Sequence, residues 1–376
     1  MLLRLNDALI IIPTLLYSLY IIWQIIAWLK LPASTLKDTG FKTRISLIIP
    51  VRNESGNIGS CLNAVLQQDY PVDLLQIIIV DDHSEDNTRA SVENTLSGKP
   101  YRWKYMQLPI GTTNKKNAIT AGVEESDSEL IVITDADCIV PETWIKSIVS
   151  AYEKHGYKMI CGPVALTSGK SFLAGYQGLE MAGLTVLSGG GISSGTPLLC
   201  NGANMAYTRE AFTSVKGFEG IDDLPTGDDT LLLFKIHKAF QGQVGFLKSR
   251  DSVVYTSAQP TWGDFFHQRI RWASKGFRSG NPLNSFVSAL VFVINLLLLV
   301  YGLGALVYFR LSVIFLMCLI VKFTVDFLLL TCGCIFINRR KFLIYFLAGE
   351  FVTALYVVWV GIMANFSRYT WKGRTY

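Results

Sequence analysis

Apolar residues in this chain gather into four long runs, and that clustering limits the fold more than any single motif does. The first run, residues 8–29, carries no charge. Crossing a hydrocarbon core of roughly 30 Å takes about 20 such residues. Three more runs follow a polar middle, at about 286–309, 311–338 and 342–366. The pattern predicts an amino-terminal transmembrane anchor (1–30) and a large polar block (31–284). Three carboxy-terminal hydrophobic segments (285–367) and a basic tail (368–376) complete it. A cleaved signal peptide is the competing reading of the first run, but signal cores are about 7–15 residues long and end in a small-residue cleavage site. This run contains Trp23, Gln24 and Trp28 and meets Lys30 instead.

Basic residues near span ends set orientation. Arg4 and Asp7 precede the first run, whereas Lys30, Lys37, Lys42 and Arg44 follow it, which puts the polar block in the cytoplasm of an integral protein of the plasma or inner membrane. Seven cysteines without paired spacing agree with a reducing compartment. Cys332 and Cys334 form only a C-x-C, so a zinc site is not expected. The net charge of +5 lacks a basic stripe with interleaved aromatics, and nucleic acid is not an expected partner.

Within the polar block, short β-branched runs recur at Ser46–Arg52, Gln76–Asp82, Trp103–Pro109 and Leu130–Asp135. Their continuous apolar character fits strands buried on both faces. Between them, Asn57–Gln68, Asn87–Leu96 and Lys115–Glu125 have helical spacing. This alternation predicts βαβ units in an α/β, Rossmann-like domain, whose ligands sit at the carboxyl ends of strands. A dinucleotide-binding oxidoreductase would need G-x-G-x-x-G after the first strand, where this chain has Pro50-Val51-Arg52-Asn53-Glu54. Gly189–Gly191 follow no strand pattern and read as a flexible loop.

Several acidic residues fall where strand ends should be. Asp135 and Asp137 close the run ELIVITDAD, and two carboxylates there can hold a hard divalent cation, Mn²⁺ or Mg²⁺, against a diphosphate. A solvated Asp turn is the plainer alternative. Asp228 and Asp229 precede the helical run Thr230–Phe240, where one can cap the helix while the other faces a pocket. Gln268-Arg269-Ile270-Arg271-Trp272 follows Phe265-Phe266. Arg suits phosphate and Trp offers a flat surface to a sugar, although the segment also reads as an interfacial amphipathic helix.

Taken together, these residues resemble the family 2 inverting glycosyltransferases of the GT-A fold, from Ser46 to about Lys275. PVRNES resembles the family's opening nucleotide-binding segment, implicating Pro50, Arg52 and Glu54. VDDHSEDNT resembles its uracil-contacting turn, implicating Asp81 and Asp82, and Lys115-Lys116-Asn117-Ala118 a lysine segment near the donor, with Asn114 where the family often has glycine. Asp135 and Asp137 match its D-x-D, Asp228-Asp229 its second acidic motif, and Gln268, Arg271 and Trp272 its Q-x-x-R-W signature. Asn201-Gly202-Ala203-Asn204 resembles the acceptor-side segment, pointing to Asn204. The resemblance implies a nucleotide-sugar donor such as a UDP-sugar, a lipid or growing glycan as acceptor, and an integral-membrane enzyme. Asp229 is then the general base, Asp228 joins Gln268, Arg271 and Trp272 on the acceptor and diphosphate side unless it mainly caps the helix, and Asp137, helped by Asp135, is on the metal. The signature is shared by ceramide-type glucosyltransferases and processive polysaccharide synthases, and the ending Thr370–Tyr376 looks more like the glycolipid branch. A catalytically silent sugar-nucleotide sensor is the alternative of another class, though it has no physical reason to keep every carboxylate. A small transporter is a further alternative, against which the large polar block argues.

Lys322, Asp326 and Glu350 fall inside apolar runs, where a charge costs roughly 2.5–3.5 kcal/mol on insertion scales and should face a partner. Lys322 and Asp326 are four apart, hence on one helical face. Three crossings after a cytoplasmic block would place Arg368, Lys372 and Arg374 outside, against the positive-inside rule. Either one run is re-entrant or the rule fails at this end.

Overall fold

The computed structural model describes residues 5–36, 40–167, 169–222, 227–274, 280–364, 370–371 and 374–375. Helix α1 (Leu5–Lys30) leads into β1 (Ile45–Val51), α2 (Ile58–Val65), β2 (Leu75–Asp81), α3 (Thr88–Leu96), β3 (Arg102–Gln107), α4 (Lys115–Glu125) and β4 (Leu130–Ile133). Next come α5 (Trp144–His155), β5 (Met159–Cys161), β6 (Val164–Leu166), α6 (Phe172–Ser193), β7 (Met205–Thr208) and α7 (Arg209–Ser214). Helix α8 (Thr230–Ala239), β8 (Val244–Phe246), β9 (Val254–Thr256) and α9 (Trp262–Ala273) follow. Three long helices come last, α10 (Pro282–Ala305), α11 (Phe309–Phe336) and α12 (Phe346–Met363), before the short pair β10 (Thr370–Trp371) and β11 (Arg374–Thr375).

The elements form two compact units. One is α/β and comprises Lys30–Thr167 and Gly191–Ser257. The other is helical and is assembled from Met1–Leu29, Ser168–Gly190 and Ala258–Tyr376.

The α/β unit is built on a seven-stranded sheet of order β3-β2-β1-β4-β7-β5-β8. The first four strands are parallel, β7 runs antiparallel to both β4 and β5, and β8 is parallel to β5. β2 and β4 are buried at every position, and β1 at all but Pro50. That is why their sequences read as unbroken apolar runs. β3 is an edge strand, and its exposed Arg102 and Lys104 blunt further strand pairing. Helices cover the sheet through a core that includes Ile45, Leu47, Ile77, Val132 and Trp144. Strand order reverses between β1 and β4, since the chain proceeds from β1 to β2 and β3 on one side and then returns to the other. Ligands of open α/β sheets bind outside the carboxyl ends at such a reversal.

Among the described residues, the helical unit contains four helices long and apolar enough to cross a membrane: Asp7–Lys30, Pro282–Ala305, Leu311–Phe336 and Arg340–Met363. Gly189–Gly191 are not a loop, as the sequence suggested, but the last turns of α6. A side chain at Gly190 would come within 2.6 Å of the Gln24 carbonyl of α1, so the glycine permits close helix packing. Arg269 of α9 is buried against Glu180 of α6, with Nε 3.1 Å from Oε2. Its guanidinium lies 4.5 Å from the Phe265 ring centroid and 4.2 Å from that of Trp272. Residues 365–369 and 372–373, which include Arg368 and Lys372 of the basic tail, lie outside the described residues, as does Lys37.

Candidate active site

Two turns at the carboxyl ends of β1 and β2 hold each other. Pro50 pairs with Val80 of β2 beyond the last residue, Ile48, that pairs with β4, so its missing N–H interrupts no ladder on that side. Arg52 is buried, and its Nη1 donates to the carbonyls of Asp82 (2.6 Å) and His83 (3.2 Å). The Glu54 amide donates to Thr88 Oγ1 at 2.8 Å, and Glu54 Oε2 accepts from Asn57 Nδ2 at 2.8 Å. Asp81 Oδ1 accepts from the Ser84 amide (3.0 Å) and hydroxyl (2.5 Å). Asp82 Oδ2 accepts from the Asn114 amide at 3.1 Å. The residues that the sequence assigned to the nucleotide therefore share one hydrogen-bonded rim. Within it, Arg52 turns its charge onto the backbone of the neighbouring turn.

Asn114 sits at φ 90°, a conformation that favours glycine, which explains the preference for glycine expected at this position. Its side chain compensates by accepting from the Asn117 amide at 3.0 Å, capping α4. The cap delivers Lys115, the first residue of α4, to the end of β4. Lys115 Nζ lies 2.6 Å from Asp135 Oδ1 and 3.0 Å from Asp228 Oδ2. Burial works against the ammonium charge, but Asp135 and then Asp228 outweigh it and hold the Lys115 pKa above its ordinary value. Gly202 leaves room for this cluster, since a Cβ there would stand 3.1 Å from both Lys115 Nζ and Asp228 Oδ2.

Asp137 is exposed, and its Oδ2 accepts from Thr256 Oγ1 at 3.2 Å. Asp228 and Asp229 exchange the roles expected of the cap. Asp229, half-buried, is the N-cap of α8 and accepts from the Thr230 amide at 2.6 Å, whereas Asp228 is buried on Lys115. Among the described residues, no group of three or more His, Cys, Asp or Glu side chains could by itself hold a metal ion.

Asn204 departs from the acceptor-side role. It is fully buried, accepts from Trp144 Nε1 at 2.9 Å, and donates through Nδ2 to the carbonyls of Pro163 and Ser252, both at 2.8 Å. Every polar atom of its amide is engaged in tying β5–β6, β7 and α5 together. Gln268, Arg271 and Trp272 belong to the helical unit, where one face of the Trp272 ring is covered by Arg269. Arg269 was missed by the sequence reading. Its signal was an arginine with an aromatic residue four positions before and three after, on one helical face.

Residues 46–214, which contain the β1 rim, Lys115, Asp135 and Asp137, match the sequence profile of Glycosyl transferase family 2. They are a family 2 glycosyltransferase domain. Over 127 residues the chain is 31% identical to Glycosyltransferase AglE of Haloferax volcanii, covering 33% of this chain and 40% of that protein. It is 25% identical over 239 residues to Beta-monoglucosyldiacylglycerol synthase of Synechocystis sp., covering 62% and 48% respectively. A further relative is Poly-beta-1,6-N-acetyl-D-glucosamine synthase of Staphylococcus epidermidis, at 23% identity over 234 residues, 62% of this chain and 54% of that one. The chain spans about half the length of the curated relatives it matches. Among solved structures it superposes on the mannosyltransferase PcManGT from Pyrobaculum calidifontis, solved in complex with GDP-Man and Mn2+. The TM-score is 0.66 at 18% identity, covering 96% of this chain and 99% of that one. The fold of the glycosyltransferase domain is of the GT-A type, accompanied by four helices of membrane-spanning length.

Proposed function

We propose that this protein transfers a sugar, with inversion, from a nucleotide-diphosphate sugar to a lipid acceptor at the surface of the membrane in which its four apolar helices lie. The observation that carries this reading is the cluster in which Lys115 and Asp135, within the family 2 domain, meet Asp228 at the strand-order reversal. The β1–β2 rim, with Asp81 and Asp82 at its floor, receives the nucleoside. Lys115 carries a permanent positive charge to the edge where a diphosphate would lie.

Asp229 takes the proton of the attacking acceptor hydroxyl, and its place at the start of α8 holds the carboxylate in one orientation. Asp137 and Asp135 suit Mn²⁺ or Mg²⁺ by their oxygen donors. Two carboxylates are too few to enclose such an ion, so the diphosphate and water would supply its other ligands. When bound, the ion neutralises charge that grows on the departing diphosphate. The Mn2+ and GDP-Man in the PcManGT complex support both the metal and the donor class. Arg271 and Trp272 act on the acceptor side, and Lys30, Lys42 and Arg44 support a cytoplasmic α/β unit.

The name of the Synechocystis relative favours a diacylglycerol-type lipid acceptor, whereas that of the staphylococcal relative supports a second reading, processive polymer synthesis. One experiment addresses both. The purified full chain in lipid nanodiscs is incubated with UDP- and GDP-sugars and diacylglycerol or ceramide, and products are identified by mass spectrometry. A lipid carrying one added hexose is expected, abolished by chelator and restored by Mn²⁺. A ladder of oligomers would favour the polymer reading, and no transfer from any donor would overturn both.

A further inference from the structure

The middle of the helical unit holds charged residues for which sugar transfer has no use. Lys322 Nζ lies 2.6 Å from Asp326 Oδ2 and 2.6 Å from Glu350 Oε2, and Tyr17 Oη donates to Asp326 Oδ1 at 2.6 Å. These side chains come from three helices, α1, α11 and α12, and are only 2–8% exposed. Each sits near the centre of its apolar span: Tyr17 in Asp7–Lys30, Lys322 and Asp326 in Leu311–Phe336, Glu350 in Arg340–Met363. In a bilayer they would share the midplane, where water is scarcest.

The charge count there does not balance. One ammonium faces two carboxyls, and the Tyr17 phenol that donates to Asp326 adds no positive charge. An uncompensated carboxylate in such surroundings is costly, and the usual outcome is that it takes up a proton. Among the described residues, Asp326 receives two donors, Tyr17 and Lys322, whereas Glu350 receives only Lys322. The more donors a carboxylate accepts, the better its ionised form is held.

We infer that the helical unit carries a buried proton-binding site in which Asp326, Glu350 and Lys322 hold one proton in excess of the ammonium, resident on Glu350, at neutral pH. The site is electrically neutral only when that proton is bound. The site depends on the helices lying in a bilayer and not on the transfer reaction, so its test is independent of the proposed activity.

Infrared spectroscopy of the full chain in nanodiscs tests it. The sample is held at about pH 7, well above the ordinary carboxyl range, so that exposed Asp and Glu are ionised. The carbonyl stretch of a protonated carboxylic acid is expected in the wild-type protein, shifted in D₂O and lost in Glu350→Gln. Its absence from the wild type, or its persistence unchanged in Glu350→Gln, would overturn the assignment. Lys322→Met gives an independent reading. Without the ammonium each carboxyl must hold a proton, so the band should grow about twofold. A band that stays the same size in that variant would also overturn it.

Discussion

Asp228 and Asp229 are adjacent and chemically identical, yet their surroundings predict opposite responses to the same substitution. Replacing Asp229 by Asn keeps an acceptor on the Thr230 amide, and Asn caps a helix about as well as Asp, so stability should change by only a few tenths of a kcal/mol. If Asp229 is the general base, the amide cannot take the acceptor proton, and turnover should fall by about 10²–10⁴. At about 1.4 kcal/mol per decade, that is roughly 3–5 kcal/mol of transition-state stabilisation. Asp228→Asn differs. Lys115 would keep Asp135 at 2.6 Å but lose a buried partner at 3.0 Å. The loss of one charge-assisted contact of two should cost about 1–3 kcal/mol. For a unit of this size, that lowers Tm by about 2–4 °C per kcal/mol. Thermal unfolding and single-turnover transfer with saturating donor, measured on both variants, separate the two effects. Near-normal turnover in Asp229→Asn, or an unfolding temperature for Asp228→Asn equal to wild type, would refute the assignment.

Three further outcomes follow from the same geometry. Asn204→Ala should orphan the Trp144 indole N–H and two buried carbonyls at about 1–3 kcal/mol each, a large share of a typical domain's stability; chemical denaturation should show the loss, with acceptor KM unchanged in whatever fraction stays folded. Asp137→Asn should weaken Mn²⁺-dependent nucleotide binding, measured by calorimetry with and without the ion, while leaving unfolding unchanged, because Asp137 is exposed. Cys61 and Cys138 flank the D-x-D, where burial first and then the charges of Asp135 and Asp137 push both thiol pKa values up. The sign is toward less thiolate at any pH, so iodoacetamide at neutral pH should neither label these two residues by mass spectrometry nor reduce activity.

What could be read ahead of the structure divides along physical lines. β1, β2 and β4 were legible because sheet and helices cover both their faces, leaving an apolar run that water cannot interrupt. β5, β6, β8 and β9 are three residues each, too short for any period to show. Lys115–Glu125 was read to the residue from its helical spacing and polar start, and the structure shows why it begins there: the Asn114 side chain caps it. The cap of α8 was misread because two adjacent aspartates satisfy the same local rule, and only packing against Lys115 chooses between them. Gly189–Gly191 misled for the converse reason. Glycine is a poor helix former on its own, and its value in α6 lies in the approach of α1, more than 160 positions away in the chain.

Asn204 shows why motif resemblance and side-chain role can part company. A conspicuous polar residue beside a ligand-binding edge looks like a ligand contact. Here its amide instead closes hydrogen bonds to Trp144, Pro163 and Ser252, segments that no local pattern joins. The same division runs along the whole carboxyl edge of the sheet. Arg52, Asp81, Asp82 and Asn204 spend bonds on backbone or on one another's turns, which makes the edge rigid. Lys115, Asp135 and Asp228 instead bond mainly by charge, and charge is what an arriving diphosphate and cation can compete for. A rigid frame with an exchangeable ionic centre is what electrostatic catalysis needs, because dipoles fixed in advance cost no reorganisation when the leaving group's charge appears. Substitutions in the frame should therefore register in stability alone, and substitutions in the ionic centre in donor binding and rate as well as in stability.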